Sequence, residues 1–347
     1  MKVLEVASSL RDWGGIERYV LYLSQGLIAR GHEVEVTCTP GSPLAQKLEF
    51  KHHRLALRGK HSLVALGGYL RLLRVGKYDL LHVHFSPDFL MPAYAARLTG
   101  KPKVVLTRHV ALRWSSRKVR LYGKLFDHII PVSHAVERKL KESGIPEGRM
   151  TVAKAGCPAL ERTRPVANTR EQLGMKDFAV GCFGRLVKEK GVETLLGTSG
   201  QELHIFGDGP RKVDLEKQAA SRECTKFHGY VQDVSDAMGA VDAVAIPSVW
   251  EEAFPYAALE AMSLARPIVA SEIGGLPEMV TDGINGLLFA PGDSADLNCK
   301  LEELRSDPSY AAKMGEAGKL LHEAEYTIPR MSERIETVFH AVLSATR

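Results

Sequence analysis

The first 38 residues alternate between strand and helix patterns, and this alternation limits the fold more than any other feature of the sequence. Residues 2–7 are apolar enough for a buried strand, and residues 8–15 are a polar, glycine-bearing turn. In residues 16–29 apolar side chains recur at helical spacing, and residues 33–38 give the next strand pattern. Because a crossover helix joins parallel strands, this order of elements predicts a parallel α/β sheet.

The same alternation recurs along the rest of the chain. Ser133 is a suitable helix N-cap after the third of the strand patterns 79–85, 103–109 and 128–133. Further strand patterns cover 179–183, 202–206, 225–228, 242–246 and 267–270, and helical patterns run from about Ser294 to the end. We therefore predict an α/β fold of two doubly wound, Rossmann-like domains that face each other across a ligand cleft.

A chain of 347 residues exceeds one ordinary hydrophobic core, so two domains are expected. Residues 158–165 form a polar stretch with a proline at each end, which is typical of a linker. We predict a first domain over residues 1–165 and a second over residues 166–325. A terminal helix in 326–347 is expected to pack back on the first domain.

The composition is that of a soluble protein, with 45% hydrophobic and 25% charged residues. No run is long and apolar enough to span a bilayer, and the strand pattern at the amino terminus predicts no signal peptide. The five cysteines have neither metal nor redox spacing, which predicts free thiols in a reducing compartment. They are Cys38, Cys157, Cys182, Cys224 and Cys299. A cytoplasmic protein is therefore expected.

Positive charge is concentrated in one part of the chain. Residues 51–124 contain 16 Lys or Arg and two acidic residues, whereas the whole chain has a formal charge of +5. Such a field favours an anionic partner, namely membrane lipid, nucleic acid or a phosphorylated substrate. The alternative is a basic face that only keeps the protein soluble.

Two clusters account for much of this charge. The first interleaves Leu63, Leu66, Leu70 and Leu73 with Lys51, Arg54, Arg58, Lys60, Arg71, Arg74 and Lys77. Gly67 and Gly68 lower its helix propensity, so only part of it is predicted to be helical. The second interleaves Trp114 and Tyr122 with Arg113, Arg117, Lys118, Arg120 and Lys124. Exposed apolar groups beside basic ones predict docking on the inner leaflet of an anionic membrane, the alternative being that they are core.

Two glutamates are placed where an open α/β sheet binds its ligand. Glu252 follows the strand pattern 242–246, and Glu260 lies in the helix pattern 257–265. The loop carboxylate can reach a sugar and the helix carboxylate a ribose, while the helix amino end between them attracts an anion. The alternative is that both glutamates are merely solvated.

Glycines and cations follow the first strand pattern of each half. Gly14 and Gly15 open a helix, where glycine lets backbone amides approach a phosphate, although no G-x-G-x-x-G fingerprint is present. Arg185 and Lys190 follow residues 179–183 and can converge on a diphosphate, because Arg gives a planar fork and Lys a mobile charge. The alternatives are a tight turn and a solvated loop.

Other polar groups stand at predicted strand ends. His109 ends one strand pattern, and Tyr230 and Val231 follow another, where their backbone can contact a base. His82 and His84 alternate on one strand face, but no third metal ligand is evident, so structural histidines are expected. No D-x-D triplet occurs, so we predict no metal at the site and no cofactor.

In this order, the segments resemble a retaining glycosyltransferase of the GT-B fold in glycosyltransferase family 4. The family signature is a glutamate, seven residues and a second glutamate, matched by Glu252 and Glu260. Its flanks are matched by residues 267–271, 274–278 and 283–288. The resemblance covers nearly the whole chain and is strongest over residues 181–291.

The resemblance implies a role for each matching residue. Glu252 would contact the donor sugar, and Glu260 would bind the ribose hydroxyls. Arg185 and Lys190 would neutralise the leaving diphosphate, and His109 would lie beside the donor sugar.

It also implies backbone contacts. The Gly15 amide would reach the same phosphates, and Phe254, Pro255 and Tyr256 would offer backbone groups to the sugar or distal phosphate. The Phe-Pro-Tyr sequence replaces the family's commoner Phe-Gly, which leaves the donor sugar open. Residues 154–158 depart from the family pattern and receive no role.

The resemblance implies retaining transfer of a hexose-type sugar from a nucleotide sugar to a glycan or lipid-linked envelope acceptor resembling lipopolysaccharide. A UDP-sugar is the favoured donor, with GDP- and ADP-sugars as alternatives, and no nucleic acid is expected as a partner. Two other function classes stay open. One is a GT-B sugar-nucleotide epimerase, and the other is a non-catalytic module that binds anionic surfaces.

Overall fold

The computed structural model describes residues 1–8, 12–55 and 62–345, so Arg58 and Lys60 of the first basic cluster lie outside the described residues. The chain divides into two compact units. Unit 1 comprises Met1–Cys157 and Ile328–Arg347, and unit 2 comprises Pro158–Thr327.

The linker segment predicted at residues 158–165 lies within unit 2. Thr163 donates to Asp236 from its backbone N–H and from its hydroxyl, each at 2.7 Å. The Leu160 amide donates to the Ser263 hydroxyl at 3.3 Å. These bonds anchor the segment to unit 2, so the chain passes between units at residue 157 rather than at residue 165.

Unit 1 is built on a parallel sheet with strand order β3-β2-β1-β4-β5-β6. Its strands are β1 (Lys2–Ala7), β2 (Glu33–Cys38), β3 (His52–Arg54), β4 (Leu80–Val83), β5 (Lys103–Arg108) and β6 (His128–Pro131). Its helices are α1 (Gly15–Ala29), α2 (Pro43–Lys47), α3 (Leu63–Gly76), α4 (Leu90–Thr99), α5 (Ser116–Leu125) and α6 (His134–Glu142), followed at the end of the chain by Ile328–Ser344.

Unit 2 repeats this plan with strand order β12-β11-β10-β7-β8-β9, again all parallel. Its strands are β7 (Ala179–Phe183), β8 (Glu202–Phe206), β9 (Thr225–Gly229), β10 (Ala243–Ile246), β11 (Ile268–Ser271) and β12 (Gly286–Phe289). Its helices are α7 (Val166–Leu173), α8 (Val192–Leu196), α9 (Lys212–Gln218), α10 (Ser235–Ala240), α11 (Tyr256–Ser263), α12 (Ser294–Ser306) and α13 (Pro308–Glu325); the terminal helix of unit 1 is α14.

Each sheet therefore has one point where the strand order reverses. In unit 1 this switch point lies between β1 and β4, and in unit 2 it lies between β7 and β10. Crossover loops leave in opposite directions at such a point, which opens a crevice at the carboxyl ends of the two strands. The loops after these four strands are thus where polar residues are expected to meet a ligand.

The central strands are buried on both faces, as expected for parallel sheets covered by helices. Val3, Leu4 and Val6 are 0% exposed in unit 1, as are Val180 and Val244 in unit 2. Such continuous apolar runs made these strands recognisable in the sequence. Two edge strands, β3 and β12, were not predicted, because they are short and β3 consists of two histidines and an arginine.

The terminal helix α14 packs within unit 1. Glu336 accepts hydrogen bonds from Arg30 Nε at 2.6 Å and pairs with His32 Nε2 at 2.7 Å. The Phe339 ring contacts the buried His82 ring edge-on, with 5.1 Å between centroids. The helix therefore contributes both an apolar and a polar face to the first unit.

Two features of the basic region differ from the prediction. Helix α3 continues through Gly67 and Gly68, because Tyr69 is fully buried and its hydroxyl bonds to Ser8 Oγ at 2.7 Å. Trp114 and Tyr122 are not exposed aromatics but buried side chains, with ring centroids 4.8 Å apart. No helix in the described part of the chain combines the length and apolarity needed to cross a membrane.

Candidate functional site

The switch point of unit 2 brings together three of the predicted site residues. Lys190 Nζ lies 2.6 Å from Glu252 Oε1, and the Ser248 hydroxyl donates to the same oxygen at 2.7 Å. Arg185 is exposed on the loop after β7, and Lys190 and Ser248 line the same cleft. A guanidinium and an ammonium thus line one small space beyond β7 and β10, and the Glu252 carboxylate is bonded to the Lys190 and Ser248 side chains that line it.

The loop after β7 is held by close backbone packing. Gly184 has a φ of +149°, a conformation that favours glycine. Its carbonyl oxygen would lie 1.8 Å from a Cβ at Gly207, so residue 207 must also be glycine. The Leu186 amide donates to the Asp208 carbonyl at 2.9 Å. The Gly207-Asp208-Gly209 turn after β8 therefore positions Arg185, a role that was not predicted from the sequence.

The Glu252 loop is held in a similar way. The Gly275 amide donates to the Glu252 carbonyl at 2.7 Å. Gly274 has a φ of +62°, and a Cβ there would lie 2.4 Å from the Glu252 carbonyl oxygen. This Gly-Gly pair, part of the family flank at residues 274–278, thus fixes the Glu252 backbone.

Helix α11 follows this loop. It begins after Pro255, with no side-chain cap and no acidic residue in its first turn, so its positive amino end lies beside the cleft. Pro255 lines the cleft, and Phe254 and Tyr256 are buried, with the Phe254 ring 5.5 Å from that of Tyr326. Glu260 is only 7% exposed, so it is not a solvated surface glutamate.

Tyr230 and Val231 follow β9, which is separated from β7 by β8. The Tyr230 side chain is exposed, and the preceding Gly229 has a φ of +69°. The Gly229 carbonyl accepts the Gly207 amide at 2.7 Å, which ties this turn to the Gly207-Asp208-Gly209 turn. The two residues therefore lie along the same sheet edge as Arg185 but outside the Lys190–Glu252 cluster.

The cleft of unit 2 also contains a thiol. Cys182 lines it at the end of β7 and is buried. Burial raises the pKa of the Cys182 thiol to about 12, although the nearby Lys190 charge acts in the opposite direction. The thiol is therefore protonated at neutral pH and is not an activated nucleophile.

In unit 1, the predicted glycine pair opens α1. Gly14 is the N-cap and Gly15 the first helical residue. The Gly14 amide donates to Glu17 Oε2 at 3.0 Å, so this N–H already has an acceptor within the protein. A ligand phosphate at Gly14 would have to displace that carboxylate.

His109 follows β5 and is half-buried beside a buried polar cluster of unit 1. Its Nε2 lies 3.4 Å from His84 Nδ1, and His84 Nε2 lies 2.5 Å from Glu5 Oε2. His82 also contacts Glu5, at 3.1 Å. The expectation that His82 and His84 lack a third metal-ligating neighbour was therefore wrong, because Glu5 on the adjacent strand lies close enough to ligate the same ion.

Burial and neighbouring charges keep the His84 and His109 imidazoles neutral. Burial, aided by the nearby His82, lowers the pKa of His84 to about 4. Burial also holds the pKa of His109 well below its usual range, with further lowering by the charges of His84, His82 and Arg108. Although burial alone would raise it, the two histidines lower the pKa of Glu5 to about 2.

The fold and site define a class of enzyme, and comparison with known families agrees. Residues 13–157 match Glycosyltransferase Family 4, and residues 166–321 match Glycosyl transferases group 1. The two matches correspond to the two units and leave only residues 158–165 unmatched between them. The chain is therefore a glycosyltransferase, and it belongs to the family defined by these two matched domains.

Individual relatives have low sequence identity to this chain, but they align with most of its length. The chain is 28% identical over 303 residues to the GDP-mannose-dependent monoacylated α-(1-6)-phosphatidylinositol monomannoside mannosyltransferase of Corynebacterium glutamicum, covering 78% of each protein. It is 24% identical to the O-antigen chain mannosyltransferase C of Escherichia coli, covering 99% of this chain and 100% of that protein. The structure of Anabaena Alr3699/HepE in complex with UDP-glucose superimposes with a TM-score of 0.87 at 22% identity, covering 98% and 100% of the two chains.

These matches confirm the predicted family and the GT-B fold. They favour a transferase over the epimerase and over the non-catalytic module. The roles of individual site residues remain predictions, and the distances described above specify which side chains would act together.

Proposed function

We propose that this glycosyltransferase transfers a hexose-type sugar, with retention of anomeric configuration, from a nucleotide sugar bound at the switch point of unit 2. The observation that carries the proposal is the Lys190–Glu252 pair beside Arg185 at the carboxyl ends of β7 and β10. Two cations there can meet the negative charge that develops on a departing diphosphate. The carboxylate, held by Ser248 and Lys190, can accept hydrogen bonds from sugar hydroxyls.

The catalytic work is electrostatic and positional. The amino end of α11 adds backbone N–H groups and a partial positive charge to those of Arg185 and Lys190. Glu252 orients the donor sugar, and Glu260 binds the ribose, as the family resemblance implies. The acceptor hydroxyl attacks on the face that the diphosphate leaves, and the departing phosphate oxygen takes its proton. Thus the glycosidic C–O bond to phosphate breaks, the new C–O bond forms on the same face, and no protein nucleophile is needed.

A UDP-sugar is the favoured donor. The similar Anabaena structure contains UDP-glucose, which supports this choice, whereas the Corynebacterium relative is described as GDP-mannose-dependent. GDP- and ADP-sugars are therefore the alternatives. No metal is assigned to the diphosphate, because Arg185, Lys190 and the α11 amino end already supply positive charge to it.

The acceptor is a hydroxyl of an envelope glycolipid or polysaccharide, resembling lipopolysaccharide. The similarity to an O-antigen mannosyltransferase supports this class. Helix α5 supports docking on the anionic inner leaflet of the membrane, since it presents four exposed basic residues that form no ion pair within the described residues. These are Arg117, Lys118, Arg120 and Lys124. Leu112 adds an exposed apolar side chain just before this helix.

Thermal unfolding with a panel of nucleotides and nucleotide sugars identifies the donor. A ligand at a hundredfold excess over its Kd stabilises the protein by about 2.7 kcal/mol, which gives a clear rise in Tm. We expect the rise with UDP and one UDP-sugar, in EDTA as well as in Mg²⁺. A rise in Tm with GDP or ADP compounds alone would mean that the donor contains guanine or adenine instead of uracil. A rise that requires metal would contradict the prediction that donor binding is metal-independent.

The transfer reaction is then followed by NMR with the donor that binds. Retention predicts a product whose anomeric coupling constant matches that of the donor sugar. An inverted anomer, or conversion of the donor to an epimer when no acceptor is present, would contradict the proposal.

A further inference from the structure

The buried cluster of unit 1 contains one carboxylate and two imidazoles that must share protons. Glu5 and His82 are 0% exposed, and His84 is 2% exposed. An ionised carboxylate can only accept hydrogen bonds, so both imidazoles must donate to Glu5. His82 does so through Nδ1, and its Nε2 is then free to accept from the Thr107 hydroxyl at 2.7 Å.

The same reasoning fixes the proton on His84. Its Nε2 is the atom that contacts Glu5, so this nitrogen carries the hydrogen. In a neutral imidazole the other nitrogen, Nδ1, then has a lone pair and accepts. The neighbour of that lone pair is His109 Nε2, at 3.4 Å, which must therefore be the donor. Nδ1 of His109 is left as an acceptor.

We propose that Glu5 and His84 are positioning residues that hold His109 as the Nε2–H tautomer, which leaves its Nδ1 lone pair to accept a hydrogen bond from a substrate hydroxyl. The relay is a chain of two hydrogen bonds that begins at a carboxylate on β1 and ends at the half-buried His109 after β5. The substrate part of this inference rests on the proposed function, whereas the tautomer part does not.

The fold explains why the relay is rigid. Glu5 lies opposite His82 in the register of β1 and β4, and His84 follows on the same face one residue beyond β4. The His82 and His84 rings contact each other with centroids 4.1 Å apart, and the Tyr19 ring contacts His109 edge-on at 4.6 Å. Because Glu5 and His82 lie on paired strands, and His84 and His109 directly follow theirs, His109 cannot change its hydrogen-bond partner by a simple loop movement.

A metal ion is the competing occupant of the cluster, since Glu5, His82 and His84 lie within ligating distance of one another. A bound metal ion would take the place of the hydrogen bonds that His82 Nδ1 and His84 Nε2 donate to Glu5. The hydrogen bonds satisfy the carboxylate and both imidazoles without an ion, which favours the relay. Elemental analysis of the purified protein decides, because stoichiometric metal that Glu5→Gln removes would overturn the proposal.

The tautomer of His109 is measured directly by ¹⁵N NMR of histidine-labelled protein at neutral pH. We expect Nε2–H in the wild type. In Glu5→Gln, the new amide N–H can donate to His84 Nε2, which reverses the proton on His84 and then on His109. We therefore expect a shift toward Nδ1–H on His109 in this variant, and Nε2–H retained in Glu5→Asp, which keeps a carboxylate.

The matched control is Glu35→Gln. Glu35 is also a buried carboxylate of unit 1 and pairs with a histidine, His53 Nε2, at 2.5 Å, but among the described residues no hydrogen bond joins this pair to His109. Its variant should leave the His109 spectrum and the transfer rate unchanged, even if it lowers Tm. A wild-type Nδ1–H tautomer, or identical His109 spectra in wild type and Glu5→Gln, would overturn the relay.

Kinetics separates the relay from the proposed function. Glu5→Gln should lower kcat/KM about ten- to hundredfold, the range found when the hydrogen-bond partners of metal-ligating histidines are replaced, and Glu5→Asp should recover part of it. If the tautomer changes and the rate does not, the relay stands and the assignment of His109 to the substrate fails. If the rate falls with no change of tautomer, the relay is contradicted and the loss is structural.

Discussion

The two sheets of this enzyme have the same strand order, yet they place different chemistry at their switch points. In unit 2, Arg185, Lys190 and Glu252 stand on loops beyond the strands, where solvent and ligand can reach them. In unit 1, Glu5 and His84 lie within or directly after the strands and are buried.

The same sheet topology can thus support two tasks, namely direct contact with a charged ligand and orientation of another side chain. A group that must meet ligand charge has to be accessible, so it lies on a loop fixed by glycines. A group that must orient another side chain benefits from burial, because a low dielectric strengthens its hydrogen bonds and packing prevents alternatives. We therefore propose that the buried set acts on His109 and that the accessible set acts on the donor.

The largest expected effect concerns Glu252. Glu252→Ala should lower transfer activity by on the order of 10²-fold or more, because it removes the carboxylate that we propose orients the donor sugar. The fold should persist, since the backbone of this residue, not its side chain, bonds to Gly275. Steady-state kinetics and thermal unfolding measure the two quantities.

Glu251→Ala is the matched control, because it removes the same charge one residue earlier in the same loop. Its activity should stay within a few-fold of the wild type. Near-normal transfer by a folded Glu252→Ala variant would exclude Glu252 from the site, and equal losses in both variants would indicate a general disturbance of the loop.

The cations of unit 2 come next. Arg185→Ala and Lys190→Ala should each weaken nucleoside diphosphate binding about ten- to hundredfold, because a charge-assisted hydrogen bond contributes roughly 1.5–3 kcal/mol. Calorimetric titration with UDP measures this. Lys188→Ala is the control, since Lys188 lies on the same turn as Lys190 but is not among the described residues that line the cleft. Unchanged affinity in both site variants would contradict the diphosphate assignment.

A smaller effect is expected at the surface of unit 1. Replacing all four basic residues of α5 (Arg117, Lys118, Arg120 and Lys124) by glutamine should reduce binding to anionic vesicles about tenfold or more. Each charge that reaches an anionic surface contributes on the order of 1 kcal/mol, so a tenfold loss, about 1.4 kcal/mol, requires only one or two of the four. Co-sedimentation at low salt measures binding, which should fall steeply toward physiological salt.

The control for this variant removes four lysines from helices of unit 2, namely Lys217, Lys300, Lys313 and Lys319. It should bind vesicles like the wild type if docking belongs to α5. Equal loss in both variants would mean that only net charge matters. Equal binding of the wild type to neutral and anionic vesicles would remove the membrane proposal.

The smallest effect is on the pH dependence of stability. His84 has a folded-state pKa of about 4, lowered from 6.5, so the unfolded chain binds more protons between these values. The stability that neutral His84 contributes is complete above pH 6.5 and is lost as pH falls toward 4. Tm should therefore fall by several degrees over this window, and less so in His84→Gln; a Tm that rises on acidification would contradict the buried neutral state.

Much of the fold was predictable because its central strands are apolar runs bounded by turns. The ranges 2–7, 33–38, 179–183 and 202–206 agree with the structure residue for residue. The helix that ends the chain was also expected. By contrast, β3 has no such run, and its pairing with β2 depends on Glu35, which holds Lys51 and His53 from the neighbouring strand.

The candidate site was predictable in part for a similar reason. Glu252, Arg185 and Lys190 follow recognisable strands, so topology alone places them at one sheet edge. The link from Glu5 to His84 depends on the parallel register of β1 and β4, which joins residues 79 positions apart. The burial of Trp114 and Tyr122 likewise depends on the packing of α5, because their spacing in the sequence fits either a core or an exposed face.

Hydrogen–deuterium exchange with saturating UDP in EDTA tests the central claim most directly, because it reports which unit binds the donor nucleotide without requiring an acceptor. The account predicts that UDP slows exchange most in unit 2, in the loops over residues 183–191 and 247–256. It further predicts that, at a UDP concentration that only just saturates the wild type, most of this protection is lost in Arg185→Ala and in Lys190→Ala. Protection confined to residues 80–125 of unit 1, or protection of the same unit 2 loops that persists in Arg185→Ala and Lys190→Ala, would contradict it.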